Sequence, residues 1–198
     1  IIANELKGPS SSQTPYLLSS DSNVYTESLL TVGDGVGGYR MVGIPDGLGA
    51  YDNGDGTFTV LMNHELGDTA GIARAHGAAG AFVSQWVFDK TTLEVKSGQD
   101  LIQNVFTYNA TSNSYVEHSA ALGNGVAFNR FCSADLADQS AFYNSATGLG
   151  YNGGRLFLNG EESGVEGRAF AHIASGAQAG NSYELAWLGN FSFENVVA

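Results

Sequence analysis

Two stretches of the chain, Thr57 to Gly67 (TFTVLMNHELG) and Arg155 to Gly164 (RLFLNGEESG), repeat one pattern. Each is a short apolar run rich in β-formers that stops abruptly at Asn, an acidic residue and a glycine-containing loop. Laid on each other, Leu61-Met62-Asn63-His64-Glu65 matches Phe157-Leu158-Asn159-Gly160-Glu161 at a separation of 96 residues. The echo continues downstream, where Gly80-Ala81-Phe82-Val83-Ser84 resembles Arg168-Ala169-Phe170-Ala171-His172. Short apolar runs bounded by turn residues read as strands. The pattern therefore predicts a duplicated β unit that delivers carboxylates from strand ends, where the ladder holds the backbone and the loop beyond is open to ligand. Adjacent strand residues point to opposite faces, so Glu161 and Glu162 need not serve the same ion.

Glycine is abundant (27 residues) and proline scarce (3), while aromatic residues make up 11%. That balance predicts many short strands and tight turns rather than disorder, which would be poor in aromatics. At 198 residues the chain is expected to form one domain. Its formal net charge of -12, from 8 Lys+Arg against 20 Asp+Glu, argues against nucleic acid or an anionic membrane as partner, since both demand a positive face. The same balance suits divalent cations, which hard carboxylate oxygens bind. The lone Cys132 cannot form an intrachain disulfide, and no run approaches the roughly 20 apolar residues of a membrane span. The chain lacks an initiator Met and stops inside what reads as a strand, so it is expected to continue beyond residue 198.

Residues 1–23 read as an extended leader, because Pro9 and Pro15 oppose helix. Strands are expected at Glu27 to Val32, Tyr39 to Ile44, Leu48 to Tyr51, Thr57 to Asn63, Ala81 to Asp89, Thr91 to Val95 and Leu101 to Tyr108. They resume at Arg155 to Asn159, Arg168 to Ala174, Ser182 to Leu188 and Phe191 to Val197. Pro45-Asp46-Gly47 has turn chemistry, and Asp52 to Gly56 reads as a hairpin loop rather than a calcium loop, since Tyr51 and Met62 stand where an EF-hand needs acids. Residues 66–80 read as a long functional loop, and 120–151 as a loop excursion whose one helical candidate is Ala134 to Phe142. Roughly ten strands with almost no helix favour a propeller or a sandwich.

Among chemical groups, His64 beside Glu65 is the best-placed histidine, and His76, His118 and His172 are weaker. No HExxH pair, cysteine pair, GxSxG elbow or phosphate-loop lysine occurs. Cys132 reads as a small buried hydrophobe, and Trp86 and Trp187 as core residues; exposed, they would instead suit a carbohydrate-binding β domain. Arg74 and Arg168 each follow a duplicated acidic motif, and a guanidinium beside carboxylate-bound cations is a natural phosphate clamp. Salt bridges to Asp68 or Glu166 would account for both arginines equally well.

The segments Pro45-Asp46-Gly47, LMNHE (61–65), LFLNGEE (156–162), GRAFAH (167–172) and LGNFSFENVVA (188–198), in this order, resemble the bacterial PhoX-like family of calcium-dependent, secreted or periplasmic alkaline phosphatases with a β-propeller fold. The resemblance implies an all-β, propeller-like chain holding part of a propeller. It also implies a metal cluster in which Glu65, Glu161, Glu162 and Glu194 are ligands, with Asn63 and His64 beside them. Arg168 or Arg74 would orient phosphate. Calcium is the implied ion. Iron is not, because Gly160 occupies the place of the cysteine that precedes the paired glutamates in iron-containing members, and Cys132 lies elsewhere in sequence. The expected activity is hydrolysis of a phosphorylated small molecule. The alternative is a non-catalytic extracellular propeller that calcium stiffens, with further segments of its own polypeptide or copies of itself as partners.

Overall fold

A computed structural model describes residues 4–198. The chain is all-β, with no α-helix among the described residues and only short 3-10 turns at Gln139–Ala141, Gly164–Glu166 and Ala186–Leu188. Its strands are β1 (Glu5–Lys7), β2 (Thr26–Ser28), β3 (Gly35–Val36), β4 (Tyr39–Arg40), β5 (Pro45–Asp52), β6 (Thr57–His64), β7 (Phe82–Asp89), β8 (Val95–Asp100), β9 (Asn104–Asn109), β10 (Ser114–Ser119), β11 (Phe131–Asp135), β12 (Tyr143–Asn144), β13 (Leu149–Gly150), β14 (Leu156–Glu161), β15 (Ala169–Ile173) and β16 (Asn181–Glu184). They form several sheets, none closed on itself, of which the largest are β5-β6-β7-β8 and the six-stranded β10-β9-β16-β15-β14-β11. No helix among the described residues is long and apolar enough to cross a membrane.

Two compact units are defined by Cα proximity. One comprises the chain up to Val42 with Tyr51–Val60 and Gln85–Gln99; the other comprises Gly43–Ala50, Leu61–Ser84 and Asp100–Ala198. In the first, β1 pairs in parallel with β2, so part of the expected leader is a strand; residues 1–3 lie outside the described residues. Trp86, 1% exposed, anchors this unit. Its ring sits 5.1 Å from Tyr39, and at Gly98 a Cβ would lie 2.5 Å from the Trp86 ring, so only glycine fits there.

The second unit is organised by β14 and β15, both buried over nearly their whole length. Burial on both faces explains why these strands read as apolar runs without alternation. One face carries Phe157, Asn159, Phe170 and His172; Phe157 stands opposite His172, and Asn159 opposite Phe170. Phe128 and Phe131 pack onto it, with ring centroids 5.0 Å and 6.1 Å from Phe170. The other face packs Leu158, Ala169 and Ala171 against Phe193 and Val196. At Gly160 on this face a Cβ would fall 2.4 Å from the Phe193 Cβ, which excludes any larger residue without moving backbone.

Several expected elements differ. Pro45-Asp46-Gly47 opens β5 instead of turning, and Gly47 lets that strand pass close to β11, since a Cβ there would sit 2.4 Å from the Ala134 nitrogen. Strand β11 runs through the first part of the helical candidate, and only a 3-10 turn follows. Residues 189–198 form no strand, and Trp187 is 83% exposed rather than core. In each case a tertiary contact, or its absence, overrides local propensity.

Burial pushes the His172 imidazole down to about 3, helped by neighbouring His76. Burial also pushes His76 down to about 4. Both rings are therefore neutral when folded, whereas in the unfolded chain they titrate near 6.5. Between those values the unfolded state binds more protons. Their stabilisation is present above about pH 6.5 and is lost as pH falls, at about 1.4 kcal/mol per pH unit for each ring. Urea midpoints measured between about pH 7.5 and about pH 5 should fall accordingly, and His172→Gln, which cannot titrate, should flatten the dependence by about half.

Candidate metal centre

The centre begins with the repeated asparagines. Asn63, near the end of β6, and Asn159, on β14, are both fully buried, and the Asn159 amide donates to the Asn63 Oδ1 at 2.8 Å. The Asn63 Nδ2 in turn donates to the carbonyl of Cys132 on β11. At the other end, His172 Nε2 donates to Asn159 Oδ1 at 2.8 Å, and the Ser182 hydroxyl donates to His172 Nδ1 at 2.8 Å. With Asn159 Oδ1 only able to accept, the ring must carry its hydrogen on Nε2, which fits the neutral histidine above. Along this chain Asn63, Asn159, His172 and Ser182 thus satisfy one another inside the core, as burial requires. The chain ties the backbone of Cys132 to the interior.

Around the Cys132 side chain four carboxylates converge. One ligand atom each from Asp46, Glu65 and Cys132 lies within 4.8 Å of the others, and the same holds for Cys132, Glu162 and Glu194. Strand β5 brings Asp46, the end of β6 brings Glu65, and the residue after β14 brings Glu162. Glu194 arrives on the segment after Phe193, whose amide donates to the Glu161 carbonyl at 3.0 Å; next to it, Ser133 donates to Glu194 through both its amide and its hydroxyl, at 3.1 Å and 3.2 Å. The Cys132 thiol donates to Glu162 Oε2 at 3.3 Å. Burial, this hydrogen bond and the charges of Glu65 and Glu194 push the thiol well above its ordinary range, so it is protonated while no cation is near. Burial and the charges of Glu65, Glu194 and Glu162 likewise raise Asp46.

Among the described residues, one cation answers these acids. Arg130 donates through Nε and Nη2 to Glu65 Oε1 at 3.0 Å and 2.9 Å, and through Nη2 to Glu162 Oε2 at 2.6 Å. Its backbone is in the left-handed region, with φ 52°, uncommon outside glycine.

Glu65, Glu162 and Glu194 thus come together, while Glu161 turns the other way. It is 3% exposed and accepts a two-pronged contact from Arg168, at 2.8 Å from Nε and 2.9 Å from Nη2. The amides of Arg168 and Asn129 complete its shell at 3.0 Å and 2.9 Å. Adjacent glutamates on opposite faces serve different partners, as strand geometry dictates. Beside this ion pair a polar cavity of about 370 Å³ is lined by Arg168, Asp68, Asn129 and Glu166 among others. Arg74 lies with its Cζ 3.6 Å above the Phe82 ring and its Nη1 3.7 Å from Asp100. His64 is fully buried, stacked on Phe82 with centroids 4.0 Å apart and bonded to Ser84 at 2.8 Å. Asp46, Arg130 and Cys132 are the members that sequence reasoning missed as a group. Arg130 precedes β11 and has a left-handed backbone, so strand periodicity does not link it to Cys132, and the sequence carried no local signal for the group.

Comparison of the chain with protein-family models, with curated proteins and with solved structures found no match in any of the three.

The asparagine pair yields a test. Asn63→Leu or Asn159→Leu leaves buried groups unpaired and should each cost about 1–3 kcal/mol. The double variant should cost less than the sum, because the partners are removed together. Urea unfolding of the four proteins measures the coupling, and strict additivity would contradict it.

Proposed function

We propose that the chain is part of a metal-dependent phosphomonoester hydrolase of PhoX-like type, acting outside the cytoplasm, with its sheets as blades of an incomplete propeller. The observation that carries this reading is the convergence of four carboxylates on one cysteine. Short sequential strands, open sheets and the 96-residue repeat support the propeller.

The donor set fits metal. Asp46, Glu65, Glu162 and Glu194 supply hard oxygens suited to calcium, and Cys132, once deprotonated, would add a thiolate suited to a softer ion such as iron. Since Gly160 has no room for a side chain, the case for iron rests on Cys132. Cations held there would supply Lewis-acid polarisation of a phosphoryl oxygen and a nucleophile at neutral pH. The protein's part is to hold the carboxylates in place through the buried asparagine chain, and to present a guanidinium to the phosphate. Arg168 and Arg74 are both engaged within the fold, by Glu161 and by Phe82 with Asp100. Arg130, with its side chain 48% exposed, is the arginine placed to meet a ligand at this cluster.

Elemental analysis and turnover of a chromogenic phosphate ester, before and after chelation, test the reading on one sample. Glu65→Gln and Glu162→Gln should each weaken metal binding about 10- to 100-fold and reduce turnover with it. Glu161→Gln should keep its metal yet lose about 3 kcal/mol of stability, because it strands Arg168 without its partner. Full metal content in both Glu65→Gln and Glu162→Gln would sink the proposal. Bound calcium without turnover would instead favour a non-catalytic, calcium-stiffened propeller.

A further inference from the structure

Arg130 stands in an unusual position for a residue that merely decorates a metal site. Its guanidinium donates to Glu65 and Glu162, one from each of the two groups that meet at Cys132. The Glu162 oxygen it contacts, Oε2, is the same atom that accepts the Cys132 thiol. It is the sole basic side chain ion-paired to the cluster among the described residues, set against four carboxylates. A guanidinium there does electrostatically what a bound cation would do, and it uses carboxylate oxygens that a cation would need. Both cannot hold those oxygens at once.

Resting on the metal-centre reading above, we propose that Arg130 is a built-in counter-cation that competes with metal for Glu65 and Glu162. Without metal it holds the acidic strand ends together. Metal entry requires it to let go, and the released guanidinium is then free to take the phosphoryl oxygens of the substrate, for which its planar fork is suited. Three features support this. The side chain is 48% exposed, so it can swing into solvent without unpacking a core. Its ion pairs reach both sides of the cluster, so one movement opens both. The Glu162 oxygen that it holds also accepts the Cys132 thiol, so its release frees an atom beside the cysteine.

The test uses the full chain stripped of metal with chelator and titrated calorimetrically with calcium and, separately, with manganese. Arg130→Gln removes the charge, and Arg130→Gly removes it while suiting the positive φ, so at least one is expected to fold. Arg40→Gln, in the other compact unit, controls for the general loss of a positive charge from an acidic protein. We expect the two Arg130 variants to bind about three- to tenfold more tightly than wild type, with a lower melting temperature when metal-free, and Arg40→Gln to match wild type. If wild type binds metal and the Arg130 variants bind equally or more weakly, the competition is refuted while the metal centre stands. If no protein of the set binds metal, the metal-centre reading and this inference both fail. Binding by the Arg130 variants alone would support the competition in its strongest form.

Discussion

The hydrogen bond between Asn63 and Asn159 is the constraint on which the site depends. It joins the equivalent positions of the two repeats, across 96 residues of sequence, inside a region where an unpaired amide would be costly. Because each asparagine has both a donor and an acceptor to satisfy, the pair extends outward: to the Cys132 carbonyl in one direction, and to His172 and Ser182 in the other. The placement of the β6 end beside β14 and of the Cys132 backbone is therefore held by polar pairing as well as by the phenylalanines around it.

That interior order fixes a charged exterior. With the Cys132 backbone held, burial and the closeness of the carboxylates of Asp46, Glu65, Glu162 and Glu194 raise the proton affinities of Cys132 and Asp46. Arg130 moderates the repulsion, while Arg168 performs the equivalent service for Glu161 on the opposite face. The duplicated acids Glu65 and Glu161 have thus diverged in use. Each is paired to an arginine, but one pair is buried and closed on itself, and the other sits half-open beside a cysteine. Only the second pair brings further carboxylates and a thiol to the same place.

Much of the strand pattern was legible because short apolar runs ending in turn residues have few alternative structures. β6, β7, β14 and β15 lie within a residue or two of where the runs place them. The errors fall where local chemistry is ambiguous. Pro45-Asp46-Gly47 has turn chemistry, yet it starts β5 because Gly47 allows close passage beside Ala134. Trp187 has the composition of a core residue but lies exposed against Tyr108, 5.5 Å between rings. Within the site, Glu65 and Glu162 were readable as carboxylates at strand ends, Glu194 followed only from the family resemblance, and Cys132 read as an ordinary buried thiol.

By itself, the sequence determined an all-β chain, the repeat and the opposed faces of Glu161 and Glu162, because these follow from residue periodicity and spacing alone. Which glutamate joins the cluster, which arginine answers it, and that Cys132 stands at its centre were decided only by tertiary structure. Those facts depend on contacts between residues 32 to 65 positions apart, and no local rule encodes the pairing of distant strands.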